Sequence, residues 1–218
     1  MIYLIVAGGP VKNIPSLSSI QTSYEKSEVR WIGVDRGVYY LLKEKIDPDF
    51  AFGDFDSLSD KERGWIEEKA VHLKVYPEQK DETDLEIAVN WALQQKPDKI
   101  VIYGGTGGRL DHLFVNAQLL LKGLDKKIPI ILEDRWNKMF LKSPGAYTVK
   151  SSNARYVSFL PMSDSITGLT LKKFRYPLEN AFIKQGSSLC ISNELIADEG
   201  FYSFEKGLLM VFQTNDQS

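Results

Sequence analysis

A single cysteine, Cys190, and two histidines, His72 and His112, are the only thiol and imidazole side chains among 218 residues. One thiol cannot close an intrachain disulfide, and this set assembles neither a cysteine zinc cage nor a histidine-rich metal site. Oxygen donors remain, and these suit hard cations such as magnesium. An excess of charge of one sign is also missing: 27 basic residues stand against 29 acidic ones, for a net charge of −2. That balance supplies no basic stripe for nucleic acid and no attraction to an anionic membrane surface. No apolar run approaches bilayer length, and the opening Met1-Ile2-Tyr3-Leu4-Ile5-Val6-Ala7 lacks the basic leader of a secretory signal. The expectation is a cytoplasmic protein that has neither nucleic acid nor membrane as a partner. What is present, 43% hydrophobic and 11% aromatic residues, suffices for a packed core.

The first part of the chain alternates strand-like and helix-like segments. Short apolar runs at 2–7, 29–34, 50–52, 71–76, 100–103 and 129–132 read as strands. Between them, Ser59-Asp60-Lys61-Glu62 and Thr83-Asp84-Leu85-Glu86 have capping-box spacing. Leu85, Ala88, Val89 and Ala92 form one helical stripe, and Leu110, Leu113, Phe114, Ala117 and Leu121 form another. Such alternation predicts an α/β unit with a mainly parallel sheet flanked by helices. From Trp136 the pattern changes to short alternating runs at 146–149, 156–160, 166–171, 189–191, 201–204 and 208–212, separated by turn residues. A smaller all-β module of sandwich or barrel type is expected there, which places the two domains at residues 1–135 and 136–218.

In open parallel sheets, ligands bind at the carboxyl ends of the strands. After the first run come Gly8-Gly9, after the second Asp35, and after the third Gly53-Asp54-Phe55-Asp56-Ser57. The fourth is followed by Gln79, Asp81 and Asp84, and the fifth by Gly104-Gly105-Thr106-Gly107-Gly108-Arg109-Leu110-Asp111-His112. Glycines that admit a phosphate and acids that hold a cation thus gather on one rim. Asp54 and Asp56 alternate along an extended segment, so both carboxylates can face one cation. Asp84 is a third candidate ligand, since Thr83 already caps its helix. The turn at 104–108 is not a P-loop, having no Gly-Lys-Ser/Thr, and Leu110 stands where a dinucleotide fingerprint needs its third glycine. It nonetheless opens a helix, where free amides favour phosphate, and Arg109 adds a permanent positive charge. His112 reads as a hydrogen-bonding residue more readily than a base, and His72 as a solvent-facing strand residue. Gln79 and Asp81 read as solvated loop residues.

The segments Gly53-Asp54-Phe55-Asp56-Ser57, Asp81-Glu82-Thr83-Asp84 and Gly104 to His112, with Ser192-Asn193-Glu194 in the second module, resemble the thiamine pyrophosphokinase family. The resemblance implies transfer of the β,γ-pyrophosphoryl group of ATP to the hydroxyl of thiamine, releasing AMP and requiring Mg2+. It further implies a homodimer in which the α/β domain binds nucleotide and the β domain serves thiamine binding and dimerisation. Asp54, Asp56 and Asp84 would hold the metal and carry catalysis. Asp35, Gly104, Gly105, Arg109 and Asp111 would line the nucleotide site, and Ser192 and Asn193 would meet thiamine. Asp84 or Asp111 is the candidate general base, and Phe201 or Tyr202 could face the thiazolium if core packing does not claim them. Two alternatives share the nucleotide half: a pyrophosphokinase for another small alcohol such as a hydroxymethylpterin, and a regulatory protein that senses magnesium-ATP without turnover.

Overall fold

The computed structural model describes residues 1–53, 59–69, 74–76 and 81–216. The chain divides into two compact units, Met1–Arg135 and Trp136–Ser218. In the first, strands β1 (Ile2–Val6), β2 (Val29–Val34), β3 (Phe50–Phe52), β4 (Lys74–Tyr76), β5 (Lys99–Tyr103) and β6 (Ile130–Glu133) lie in the order β4-β3-β2-β1-β5-β6. Every pairing among them is parallel. From β1 the chain builds outward through β2, β3 and β4, then returns to add β5 on the other side. The order therefore reverses between β1 and β5, the place where loops diverge and leave a crevice.

Parallel strands need crossover connections, and helices supply them. Helices α1 (Leu17–Ser23) and α2 (Arg36–Lys43) put Leu17, Ile20 and Leu41 in one apolar cluster with Leu4, Val6 and Trp31. Helix α4 (Asp84–Gln94) covers the opposite face, where Trp91 packs on Tyr3, Phe50 and Phe52 at ring-centroid distances of 5.8, 4.2 and 5.7 Å. Helix α5 (Leu110–Lys126) lies beside α4, joined to it by a Glu86–Lys122 ion pair of 2.8 Å. In α3 (Asp60–Lys69) the expected capping box is formed. Glu62 Oε2 accepts from the Ser59 amide at 2.9 Å, while the Glu62 amide donates back to the Ser59 hydroxyl at 3.4 Å. Among the described residues no helix is long and apolar enough to cross a membrane.

The second unit is all β, as expected. Strands β7 (Asn137–Lys142), β13 (Leu209–Thr214) and β9 (Tyr156–Pro161) pair antiparallel in that order. A second antiparallel sheet runs β11 (Leu178–Lys184), β10 (Ser165–Lys172), β12 (Glu199–Phe204), β8 (Gly145–Lys150). Phe159, Leu209 and Val211 of the first set share one buried cluster with Ile166, Leu171, Tyr202 and Phe204 of the second. Two sheets closing on a common core make a sandwich.

Three expectations from sequence need correction. Residues 189–191 form a turn: Ile191 N donates to Ser188 O at 3.2 Å and Leu189 N to the Ser187 hydroxyl at 3.3 Å, so local serines take the amides a strand would need. Helix α5 does not bury the stripe that begins at Leu110. It buries Asn116, Leu119, Leu120 and Gly123, while Leu110 and Phe114 are each 68% exposed. Both stripes have helical spacing, and contact with the sheet chose between them. Lastly, α1, β7 and β11 exist without having been read from the sequence, being short or too polar to show a clear period.

Candidate active site

The crevice at the strand-order reversal is a cleft of about 810 Å³ within the first unit. Ala7-Gly8-Gly9-Pro10 after β1, Val34-Asp35 at the end of β2, and Gly104, Gly105 and Gly107 to Arg109 after β5 form its walls. Asp81 to Leu85, leading into α4, and His112 and Asn116 of α5 complete the lining. Of the residues selected from sequence, Asp35, Asp84, Gly104, Gly105 and Arg109 are brought together here. Asp54 and Asp56 lie outside the described residues, as do Gln79 and His72.

Each wall has a local cause. Gly9 donates its amide to Gly104 O at 3.0 Å, and a Cβ on Gly9 would stand only 2.3 Å from that oxygen. The two loops therefore touch backbone to backbone, which a side chain would prevent. Asp35 caps α2 with φ 49° and ψ −124°, a conformation costly for any residue with a Cβ, of order 1–3 kcal/mol. It is pinned there by bonds from Asp35 N to Phe52 O (2.9 Å) and from Val38 N to Asp35 O (3.1 Å). Its carboxylate uses the space a side chain on Gly53 would need, with Asp35 Oδ1 at 2.2 Å from the position of that Cβ. Backbone strain of this kind clusters at active sites and ligand clamps. Asp84 begins α4 behind its cap Thr83, whose hydroxyl accepts from Glu86 N at 3.3 Å. Asn90 steadies the segment ahead of the cap by donating to Glu82 Oε1 at 2.8 Å.

Arg109 and Asp111 behave as a pair. The guanidinium grips the carboxylate with two bonds, Nη2 to Oδ2 at 2.6 Å and Nε to Oδ1 at 3.1 Å, and both side chains are well exposed. Hydrogen bonding to Arg109, aided by the His112 amide, holds the Asp111 carboxyl down at about 2. Asp111 is thus a rim residue that holds Arg109 and does not itself line the cleft.

Sequence reasoning passed over four further residues. Asn116 donates to Gly105 O at 2.8 Å, the Thr106 hydroxyl donates to Asp134 Oδ2 at 2.7 Å, and Glu82 anchors the α4 approach as described. The available signal was the spacing Asn116-Leu119-Leu120-Gly123, which places an amide on a buried helical face.

In the second unit, Ser192 is exposed with φ 57°, and its amide donates to the buried Ser158 hydroxyl at 2.9 Å. Asn193 is 2% exposed. Its Oδ1 accepts from the amides of Tyr176 and Glu194, each at 3.0 Å, and its Nδ2 donates to Tyr176 O at 2.8 Å. Such an amide shapes the loop and has little left for a ligand. Tyr202 is buried beneath Tyr147, whereas Phe201 is 39% exposed, with the Lys173 ammonium 5.0 Å from its ring.

Residues 21–132 match the family model "Thiamin pyrophosphokinase, catalytic domain" and residues 146–209 match "Thiamin pyrophosphokinase, vitamin B1 binding domain". A thiamine pyrophosphokinase of Bacillus subtilis (strain 168) is 49% identical over 213 residues, covering 97% of this chain and 98% of that one. The crystal structure of thiamine pyrophosphokinase from Bacillus subtilis superposes with a TM-score of 0.94 at 46% identity, covering all of both chains. That of thiamin pyrophosphokinase from Geobacillus thermodenitrificans gives 0.92 at 45%, covering 100% of this chain and 99% of that one. With both family models matched in order and relatives alike end to end, the chain belongs to the thiamin pyrophosphokinase family.

Proposed function

We propose that this protein transfers the pyrophosphoryl group of ATP to the hydroxyl of thiamine, giving thiamine diphosphate and AMP. The observation that carries this reading is the cleft at the strand-order reversal, where glycine walls allow close backbone approach and Asp35, Asp81, Glu82 and Asp84 share one lining. A phosphate chain fits the glycine side. The donors on the acidic side are hard oxygens, which suit Mg2+. Asp54, Asp56 and Asp84 would hold it, and when bound it would offset the negative charge of the phosphates. Among the described residues no group of three or more metal-binding side chains is assembled, so this assignment leans on Asp54 and Asp56 joining Asp84.

The chain's own residues have separable tasks. Gly104 and Gly105 bring main chain close to the phosphates, and Arg109, released from Asp111, can take a phosphate oxygen in the same forked geometry. Phosphoryl transfer depends mostly on positioning and charge neutralisation. Attack by the thiamine oxygen on the β-phosphorus breaks its bond to the α-phosphate bridging oxygen, and the hydroxyl proton must leave. Asp111 stands outside the cleft lining, whereas Asp84 lies within it. Asp84 is the better placed candidate. In the second unit Ser192 is the exposed polar group for thiamine, Asn193 sets the loop that carries it, and Phe201 offers an accessible ring. A homodimer accords with the exposure of Leu110 and Phe114 on α5.

The test is product analysis with purified protein, ATP, magnesium and thiamine. AMP and thiamine diphosphate should appear together, and only with magnesium. ADP with thiamine monophosphate would overturn the pyrophosphoryl step. Turnover only with other alcohols, such as a hydroxymethylpterin, or no ATP consumption at all, would overturn the assignment.

A further inference from the structure

Four of the five residues from Gly104 to Gly108 are glycine, so the turn has little preference of its own for the direction of its peptide groups. Yet three consecutive residues are tethered. Gly104 O accepts from Gly9 N at 3.0 Å, Gly105 O from Asn116 Nδ2 at 2.8 Å, and the Thr106 hydroxyl donates to Asp134 at 2.7 Å. The partners come from the loop after β1, from α5 and from the end of β6. Asn116, Thr106 and Asp134 are 7, 8 and 8% exposed, so water competes weakly for these bonds. Asn116 reaches back eleven residues to do this, and it also lines the cleft.

We infer that Asn116 is a positioning residue for the phosphates of the nucleotide, an inference that rests on the function proposed above. A trans peptide points its carbonyl and its amide in opposite directions. By holding the Gly105 carbonyl, Asn116 also sets the direction of the Thr106 amide. A peptide turned over at this point would offer an anionic ligand the negative end of its dipole in place of the positive one. The Thr106–Asp134 bond fixes the same peptide from its other side, and the Gly9 bond occupies the preceding carbonyl. At Gly105 a Cβ would stand 2.6 Å from Leu132 Cδ1, so the turn is pressed on the core just where Asn116 takes hold. The helix thus imposes the orientation that glycine cannot set for itself.

Two substitutions test this: Asn116→Leu, which keeps the volume and removes the donor, and Thr106→Val, which removes the hydroxyl. Affinity for ATP and for inorganic triphosphate is measured by calorimetry, with magnesium and again with a chelator. The KM for thiamine, kcat and the melting temperature are measured alongside. Both variants should bind triphosphate and ATP about tenfold more weakly, with or without magnesium, the loss expected for one charge-assisted hydrogen bond. The thiamine KM should stay within about twofold. Equal losses for triphosphate and ATP would place the effect at the phosphates. Unchanged triphosphate affinity in both variants, or a parallel loss for thiamine, would overturn the inference and leave Asn116 a structural residue. If Asn116→Leu fails to fold, Thr106→Val decides alone. If the unsubstituted protein binds neither ATP nor triphosphate, the functional reading fails first and the inference with it.

Discussion

Replacing Gly9 by alanine adds one methyl group to a loop whose neighbour is main chain. The new Cβ would stand 2.3 Å from Gly104 O and 2.9 Å from Thr106 O. Ordinary contact lies about an ångström farther out than the shorter of these. Neither oxygen can retreat easily: Gly104 lies at φ 70° and is bonded to Gly9, and Thr106 is tied to Asp134. Overpacking of this kind costs about 1–3 kcal/mol, partly offset by the lower chain entropy of alanine when unfolded. A net loss of about 1–2 kcal/mol should lower Tm by roughly 3–7 °C. The larger effect falls on turnover. Moving one wall of the cleft by about an ångström should reduce kcat/KM for ATP by 10- to 100-fold, an order of magnitude suggested by the sensitivity of catalysis to alignment. The matched control is Gly64→Ala in α3, where nothing lies within 4 Å of the new Cβ. There the same substitution should stabilise by about 0.5–1 kcal/mol and raise Tm by roughly 2–3 °C without altering turnover. The pair is read by thermal melting and by AMP release. Activity within about twofold of the parent in Gly9→Ala, with Tm unchanged, would refute close loop packing as the origin of the cleft's shape.

Four further outcomes are expected. Asp54→Asn or Asp56→Asn should lower turnover at least about tenfold with the fold intact, and near-normal activity in both would remove the metal assignment. Ser192→Ala should raise the thiamine KM at constant Tm. Asn193→Ala, by contrast, removes both main-chain partners of Tyr176 and should cost about 1–2 kcal/mol in a denaturant titration; a stable Asn193→Ala variant with only a KM defect would make Asn193 a ligand contact after all. The Glu62 carboxyl is held below its ordinary value, first by the Ser59 amide and then by the Ser59 hydroxyl and Arg36, against burial. A depressed carboxyl stabilises the fold above its unfolded pKa and loses that contribution as pH falls through the folded one. The stability gap between the parent protein and Glu62→Gln should therefore be full at neutral pH and close as the solution is acidified below the usual glutamate range. A gap independent of pH would disprove the cap.

How much was legible in advance depended on the range of the interaction involved. The strands at 29–34 and 50–52 and the caps at Ser59 and Thr83 were read correctly because each is written in a few neighbouring residues: an apolar run, or a hydroxyl three positions before an acid. The order of the site motifs along the chain was likewise enough to suggest a shared rim, since parallel strands deliver their carboxyl ends to one side. Chain order could not say which of two stripes on α5 meets the sheet, nor that residues 189–191 turn on their own serines. It could not separate Ser192, exposed, from Asn193 beside it, whose amide is used by Tyr176.

The sequence by itself determined most of the local elements and the two-part organisation of parallel α/β followed by β strands, because propensity and periodicity are properties of residues near one another. Tertiary structure alone decided that Asp111 serves Arg109, that Asp35 sits strained against Gly53, and that Asn116 holds the glycine-rich turn. The last two join residues that are distant in sequence, and all three depend on directions in space. A bond of 2.8 Å between an amide and a carbonyl exists only once packing has fixed both ends.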